Sequence, residues 1–190
     1  MNDTMFTNQQ AQLDALTQKA TIDQVLAFFD SLAAVPIASM LGSWRGSGLE
    51  TDHPLDGMLE SFYWYGKRFR STEDVDPLVF TKKDGSLFAI NPAMVPLGIV
   101  NNPPGIASTD AAGLLFKIGS TVLQTNEPAA RLRMTEYRGV SSATMIYDRL
   151  PINDVFRMVT PDVLIGAMDI RGNDQPFMFV LKRDAITPVN

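Results

Sequence analysis

The second half of the chain consists of short segments rich in strand-forming residues, and this pattern limits the possible fold more than any other feature. Such segments at close spacing, separated by turn residues, are typical of antiparallel barrels and sandwiches. Residues 78–81 and 87–90 flank the turn signal Asp84-Gly85 and predict a hairpin. Further strands are predicted around residues 114–124, 130–138, 140–149, 152–159, 163–170 and 177–183.

The first part of the chain predicts helices. Thr21 and Gln24 form a capping-box pattern ahead of apolar residues at helical spacing, and Pro36 is expected to end this helix. After a glycine-rich first strand, apolar residues again recur at helical spacing and predict a second amphipathic helix over residues 56–67. The stretch 91–112 is rich in proline, asparagine and glycine and predicts a long loop, and such loops are often functional.

Together these elements predict a single α+β domain, an antiparallel β-barrel or half-barrel with helices covering its open side. Its expected parts are a helical lead-in over residues 1–36, a strand and helix over 42–70 and antiparallel strands over 76–185, all within one domain spanning 1–190. Edge strands of two copies could pair to make a homodimer, which the sequence neither requires nor excludes.

Charge and composition argue against several functions. The chain carries a net charge of −5, whereas nucleic acids and anionic membranes attract a basic face. The absence of cysteine excludes disulfides, thiol catalysis and iron–sulfur clusters, and the single histidine, His53, excludes a multi-histidine metal site. Because the sequence has neither a secretion signal nor an apolar run of about 18–20 residues, we expect a cytoplasmic protein without a membrane span. We predict no metal and no cofactor.

Carboxylates fall on otherwise apolar faces of the predicted late strands. Alternation places Asp154 with Ile152 and Phe156, and Asp169 with Val163 and Ile165. An apolar interior with a few polar groups is the usual anatomy of a small-molecule pocket. The same sequence pattern would arise if these carboxylates lay in water at strand ends, or if they formed an internal cluster of ion pairs with arginines. The sequence leaves these interpretations open.

Five sequence blocks, in order, resemble a known bacterial family. The first is Gly42-Ser43-Trp44-Arg45-Gly46, and the others cover residues 53–57, 64–69, 136–139 and 145–152. Over roughly residues 25–185 the chain is similar to GXWXG-domain proteins that carry a companion C-terminal domain of unknown function. The resemblance implies more about the fold than about function, because the family brings no established reaction.

A more distant similarity is to the calycins, which include lipocalins, fatty-acid-binding proteins and nitrobindins. Their barrel begins with a Gly-x-Trp strand, so the similarity implies a calycin-like antiparallel barrel or half-barrel. It gives Gly42, Trp44 and Gly46 structural roles, with Trp44 as a plug at the closed end. Arg45 and Arg138 are the candidates for a cation–π contact on that tryptophan.

Haem binding is an alternative that the nitrobindin similarity raises. Nitrobindin-like barrels hold haem through a histidine near the C-terminus. This chain departs from that pattern, because no histidine follows His53. An iron ligand would then be Tyr137, Tyr147 or a methionine.

We predict that the protein binds or carries a hydrophobic small molecule, such as a fatty acid or a phospholipid-like ligand. The residues expected to orient its head group are Arg138, Tyr147 and Tyr137, with His53 and Asp56 at the rim. An enzyme acting on a hydrophobic substrate and a structural or interaction module stay open as alternatives. No residue is assigned as catalytic.

Two short motifs have both a functional and a structural interpretation. Asp56 and Glu60 lie four residues apart and, with His53, would suit acid–base chemistry on one helix face. Asp56 would equally cap the start of that helix. The basic run over residues 67–70 could meet a lipid phosphate or carboxylate, but it also fits a solvated helix end.

Overall fold

A computed structural model describes residues 2–94 and 123–185 of the chain. The helices are α1 (Asn2–Leu16), α2 (Ile22–Ser31) and α3 (Met58–Ser61). The strands are β1 (Ala33–Ala34), β2 (Gly42–Gly48), β3 (Trp64–Phe69), β4 (Val75–Thr81), β5 (Leu87–Ile90), β6 (Gln124–Thr125), β7 (Ala130–Tyr137), β8 (Val140–Tyr147), β9 (Ile152–Thr160), β10 (Val163–Ile170) and β11 (Phe177–Asp184). The expected loop over 91–112 and strand around 114–124 lie mostly outside the described residues. None of the described helices combines the length and apolar character that crossing a membrane requires.

The described strands form one antiparallel sheet whose order returns to its start. The order is β3-β2-β11-β10-β9-β8-β7-β4, and a further pairing between β4 and β3 closes this path into a ring. Strands β5 and β6 continue the sheet from β4, and β1 pairs with β9. The strands predicted over residues 130–183 and the hairpin around Asp84-Gly85 are thus confirmed.

Apolar residues occupy both faces of the strands β9 to β11. Inside the ring, Phe156, Leu164 and Phe179 belong to the main core. The alternate residues Val155 and Ile165 face outward, where α1 and α2 pack on them in a second apolar layer. Two expectations are corrected here. The first two helices cover the outer face of the sheet, not its open side, and the predicted interior face of β10 is the one that meets these helices.

The helix α2 begins as predicted but ends early. The Thr21 hydroxyl accepts a hydrogen bond from the Gln24 N–H, and the Gln24 side chain accepts one from the Thr21 N–H, which completes the capping box. The helix ends at Ser31 rather than at Pro36, because the next residues pair as β1 with β9.

The helix predicted over residues 56–67 is wrong for most of its length. Only the one-turn helix α3 forms, and residues with left-handed backbone flank it, Gly57 at φ 72° and Tyr63 at φ 61°. From Trp64 onward the chain is a strand paired with both β2 and β4. The apolar spacing fits α3 itself, and it continues past α3 by coincidence because both faces of β3 are buried.

The tryptophan of the motif is buried where β2 begins. Trp44 is fully buried, and its indole N–H donates to the Met40 carbonyl at 2.7 Å. The guanidinium of Arg183 lies 4.2 Å from the Trp44 ring centre. The arginine that packs on Trp44 is thus neither of the expected candidates, Arg45 and Arg138. Arg45 packs over Tyr65, and Arg138 pairs with Asp30 on α2.

Candidate ligand-binding site

The main core inside the ring contains a small cavity with an almost wholly apolar wall. Its volume is about 90 Å³, and it is partly open to the surface. The short segment around α3 contributes one part of the wall, and strands β3, β4, β10 and β11 contribute others. Among the apolar wall residues are Leu55, Met58, Phe62, Leu78, Met168 and Phe177.

One charged side chain, Lys67, lies in the described wall of this cavity. Its ammonium nitrogen Nζ is 2.7 Å from Asp154 Oδ2 and donates to the Pro77 carbonyl at 3.2 Å. Only 3% of the Lys67 side chain and none of the Asp154 side chain is exposed. The two residues therefore form an ion pair that is removed from water, and this pair has no net charge.

Aromatic rings surround the Lys67 ammonium on the cavity side. Nζ lies 5.0 Å from the ring centre of Phe179, 5.7 Å from that of Trp64 and 6.0 Å from that of Tyr147. All three rings belong to the cavity wall. Distances of this size allow cation–π attraction, which stabilises an ammonium where water is excluded.

Burial perturbs the acidic groups beside Lys67. It raises the pKa of the Asp154 carboxyl, while the nearby Lys67 ammonium acts to lower it. Burial, and then the negative charge of Asp154, raise the pKa of the Tyr147 hydroxyl well above its usual value. Tyr147 is therefore a neutral phenol at pH 7, and its hydroxyl keeps a proton to donate.

A bulge in β3 explains how Lys67 reaches the interior. The register between β3 and β4 shifts on both sides of Gly66, and Gly66 has a φ of 142° that favours glycine. A Cβ atom at Gly66 would lie 2.0 Å from the Trp44 carbonyl oxygen, so the close approach of β2 also requires glycine. This local shift places both Trp64 and Lys67 in the cavity wall.

The predicted rim residues shape the loop before α3 and do not line the cavity. The Asp56 carboxylate accepts hydrogen bonds from the N–H groups of Thr51 and His53. The buried His53 accepts one from the Leu55 N–H through Nδ1, and burial lowers its pKa. Glu60 accepts from the Gly48 N–H. Each of these three side chains has a backbone partner, so they hold the loop and α3 in place.

The structure places two predicted head-group residues outside the cavity, next to the helices. Arg138 makes two hydrogen bonds of 2.7 Å to the carboxylate of Asp30 on α2. Tyr137 meets the ring of Phe29 edge-on, with 6.3 Å between ring centres. Of the residues expected to orient a head group, the described cavity wall includes Tyr147.

The basic run after Trp64 is part of a strand and not a solvated helix end. Lys67 pairs with Asp154, and Arg68 pairs with the buried Asp76 at 3.1 Å. Burial raises the pKa of Asp76, although Arg70 and Arg68 act in the opposite direction. The sequence placed Asp154 on an inward apolar face correctly, but the prediction of a helix over 56–67 hid its partner Lys67.

A metal site is not evident in the described parts of the chain. Within residues 2–94 and 123–185, no group of three or more histidine, cysteine, aspartate or glutamate side chains could hold a metal ion. The cavity of about 90 Å³ is also too small to enclose a porphyrin. The described geometry therefore gives haem no support.

Comparisons with known proteins give a family likeness and no activity. Residues 27–85 match the family model described as GXWXG protein. Residues 128–183 match the model described as Domain of unknown function (DUF4334). A crystal structure of a protein from Thermomonospora curvata is 31% identical, with a TM-score of 0.68, and the match covers 93% of this chain and 99% of that one. No curated protein matches the chain.

Proposed function

This chain belongs to the GXWXG proteins that carry a companion domain of unknown function, and we propose that it binds a hydrophobic small molecule. Neither of the two family descriptions names a reaction, so the cavity is the basis of this proposal. The observation that carries the proposal is an apolar cavity whose described wall has one charged side chain, Lys67, which pairs with Asp154 behind the wall. Apolar walls with a few placed polar groups are typical of small-molecule sites. A purely structural or interaction module has no need of such a cavity.

The cavity volume favours a compact ligand. About 90 Å³ corresponds to the space of roughly three water molecules, and an apolar cavity of about 150 Å³ holds benzene. A small ring can enter with modest movement of the wall or extend through the open side. A fatty acid or phospholipid-like ligand stays a prediction, and its chain would require a larger displacement of α3.

The likeness to calycins also stays a proposal. Closure of the strands into a ring and the burial of Trp44 under Arg183 support it. In such a fold, the ligand lies inside the ring and the motif tryptophan only helps to close it.

The expected affinity follows from the apolar surface that a compact ligand buries. Burying about 150 Å² gives about 4 kcal/mol before any hydrogen bond, which corresponds to a Kd of about 1 mM. Binding should therefore be measured at millimolar ligand, with a method that reports where the ligand lies.

Toluene is a suitable first probe, observed through the methionine methyl groups by NMR of methyl-labelled protein. We expect the signals of Met58 and Met168, which lie in the wall, to shift in a saturable manner. The exposed Met5 and Met134 serve as internal controls and should not shift.

A variant that fills the cavity tests the location. Leu78→Trp places an indole in the cavity wall and should abolish the saturable shifts. The matched variant Leu41→Trp changes an exposed leucine and should leave them intact. Unchanged Met58 and Met168 signals in wild type up to saturating toluene, or full binding by the Leu78→Trp variant, would overturn the proposal.

A further inference from the structure

We infer that the cavity selects uncharged ligands bearing a hydrogen-bond acceptor, such as a ketone, aldehyde or ester, over carboxylates of the same size. The inference rests on the proposed function and adds the chemical class of the ligand. It follows from the charge balance of the Lys67–Asp154 pair and from the donors that remain at the cavity wall. It also departs from the fatty-acid expectation of the sequence.

The charge balance of the buried groups disfavours an anion. The Lys67 ammonium is already compensated by Asp154 Oδ2 at 2.7 Å, and no second charged residue lies in the described part of the wall. A carboxylate entering the cavity would lose its hydration and meet a site whose net charge is zero. Its attraction to Lys67 would be opposed by repulsion from Asp154, so its desolvation would stay largely uncompensated.

Binding of a positively charged ligand is disfavoured for a related reason. Such a ligand would lie near the Lys67 ammonium, while the Asp154 carboxylate is fully buried behind the wall and already paired. Neither Asp154 oxygen has a hydrogen bond of regular geometry among the described residues, but Asp154 is not one of the wall residues of the cavity. Neutral ligands are therefore the class that this arrangement accepts.

Hydrogen-bond donors at the wall favour an acceptor on that neutral ligand. An ammonium has three N–H donors, and two oxygens lie within hydrogen-bond distance of Lys67 Nζ, Asp154 Oδ2 and the Pro77 carbonyl. Among the described residues these two oxygens account for at most two of the three donors, and we expect a ligand acceptor to take the remaining one. Tyr147 is a residue of the same wall, and its phenol is a second donor group. A carbonyl oxygen on the ligand can accept from either group.

Three probes of similar size test this selectivity: toluene, acetophenone and benzoate, at pH 7, with the Met58 and Met168 methyl signals as the readout. Acetophenone and benzoate are nearly identical in shape and differ in charge. We expect acetophenone to bind about tenfold more tightly than toluene, since a hydrogen bond to a charged group contributes about that factor. Benzoate should bind at least tenfold more weakly than acetophenone.

Asp154→Asn reverses the expected preference. It leaves the Lys67 ammonium without a counter-charge, so benzoate should then bind more tightly than acetophenone. Asp148→Asn is the matched control, because Asp148 forms a partly exposed ion pair with Arg131, and it should keep the wild-type order. If the Asp154 variant does not fold, the order of the three probes on wild type still decides.

The outcomes separate the two proposals. Saturable binding of all three probes with similar affinity, or tightest binding of benzoate to wild type, overturns the selectivity and leaves the proposed function standing. Absence of any binding at Met58 and Met168 overturns the proposed function itself. The expected order on wild type, reversed in the Asp154 variant, supports the inference.

Discussion

Replacing Lys67 with methionine removes the ammonium while keeping an unbranched side chain of similar length, and it leaves the Asp154 carboxylate buried without a counter-charge. At the observed separation of 2.7 Å and an effective dielectric constant of about 20, the pair attraction is about 6 kcal/mol. The removal of each ion from water costs several kcal/mol, so the intact pair is close to neutral for stability. Losing one partner is different: we expect Lys67→Met to lower the free energy of unfolding by about 3–5 kcal/mol at pH 7.

The loss should depend on pH because the remaining carboxyl can take up a proton. Burial already raises the pKa of Asp154 and Lys67 counteracts that rise, so removing Lys67 raises the pKa further. A group whose folded pKa exceeds its unfolded value of about 3.9 binds more protons in the folded state. The variant's deficit should therefore be smallest below pH 3.9 and grow as pH rises through the raised pKa of the folded protein.

Urea unfolding followed by the fluorescence of the buried Trp44 and Trp64 measures these free energies. The double variant Lys67→Met/Asp154→Leu should recover most of the loss, because no charge is then left uncompensated. Lys83→Met, at an exposed lysine, should stay within about 0.5 kcal/mol of wild type. A loss below about 1 kcal/mol for Lys67→Met at pH 7, or an equal loss with leucine at 154, would refute the reasoning.

Two further expectations concern packing and pH. A Cβ atom at Gly46 would lie 2.2 Å from the Trp64 ring, whereas a Cβ at Gly48 would have its nearest contact at 3.1 Å. Gly46→Ala should therefore lower the free energy of unfolding in urea by about 1–3 kcal/mol, and Gly48→Ala should lower it less. Equal losses for the two variants would contradict this expectation. Burial lowers the pKa of His53, so the unfolded chain takes up a proton first as pH falls below about 6.5, and stability should drop there. His53→Gln should lack this drop, and a wild-type-to-variant difference that is constant from pH 7.5 to 5 would argue against it.

The strands could be predicted because their signals are local. Alternating apolar residues and turn residues such as Asp84-Gly85 determine where strands lie, whatever the neighbours are. The Thr21–Gln24 capping box is also a local signal, and it marked the start of α2 correctly. The motif glycine Gly46 belongs to a strand as expected, since its missing side chain makes room for the Trp64 ring.

The candidate site could be predicted only in part because its key contacts are non-local. Tyr147 and Asp154 were placed on the correct strands, but their relation to Lys67 depends on a register shift at Gly66. At the shift, Gly66 lies against the Trp44 carbonyl, which belongs to another strand. Arg138 was expected to orient a head group, whereas Asp30 on α2 provides it with a partner outside the cavity.

The ring of strands has a consequence for how the chain reaches its native state. Strands β2, β3 and β4 lie in the segment that matches the first family model, and β7 to β11 lie mostly in the segment that matches the second. Besides the short pairing of β1 with β9, the two segments meet within the ring at two seams, between β2 and β11 and between β4 and β7. Pairings between residues so distant in sequence form late and slow folding. During synthesis β2 therefore stays unpaired on one edge until β11 emerges, and that edge can pair with a wrong strand in the meantime.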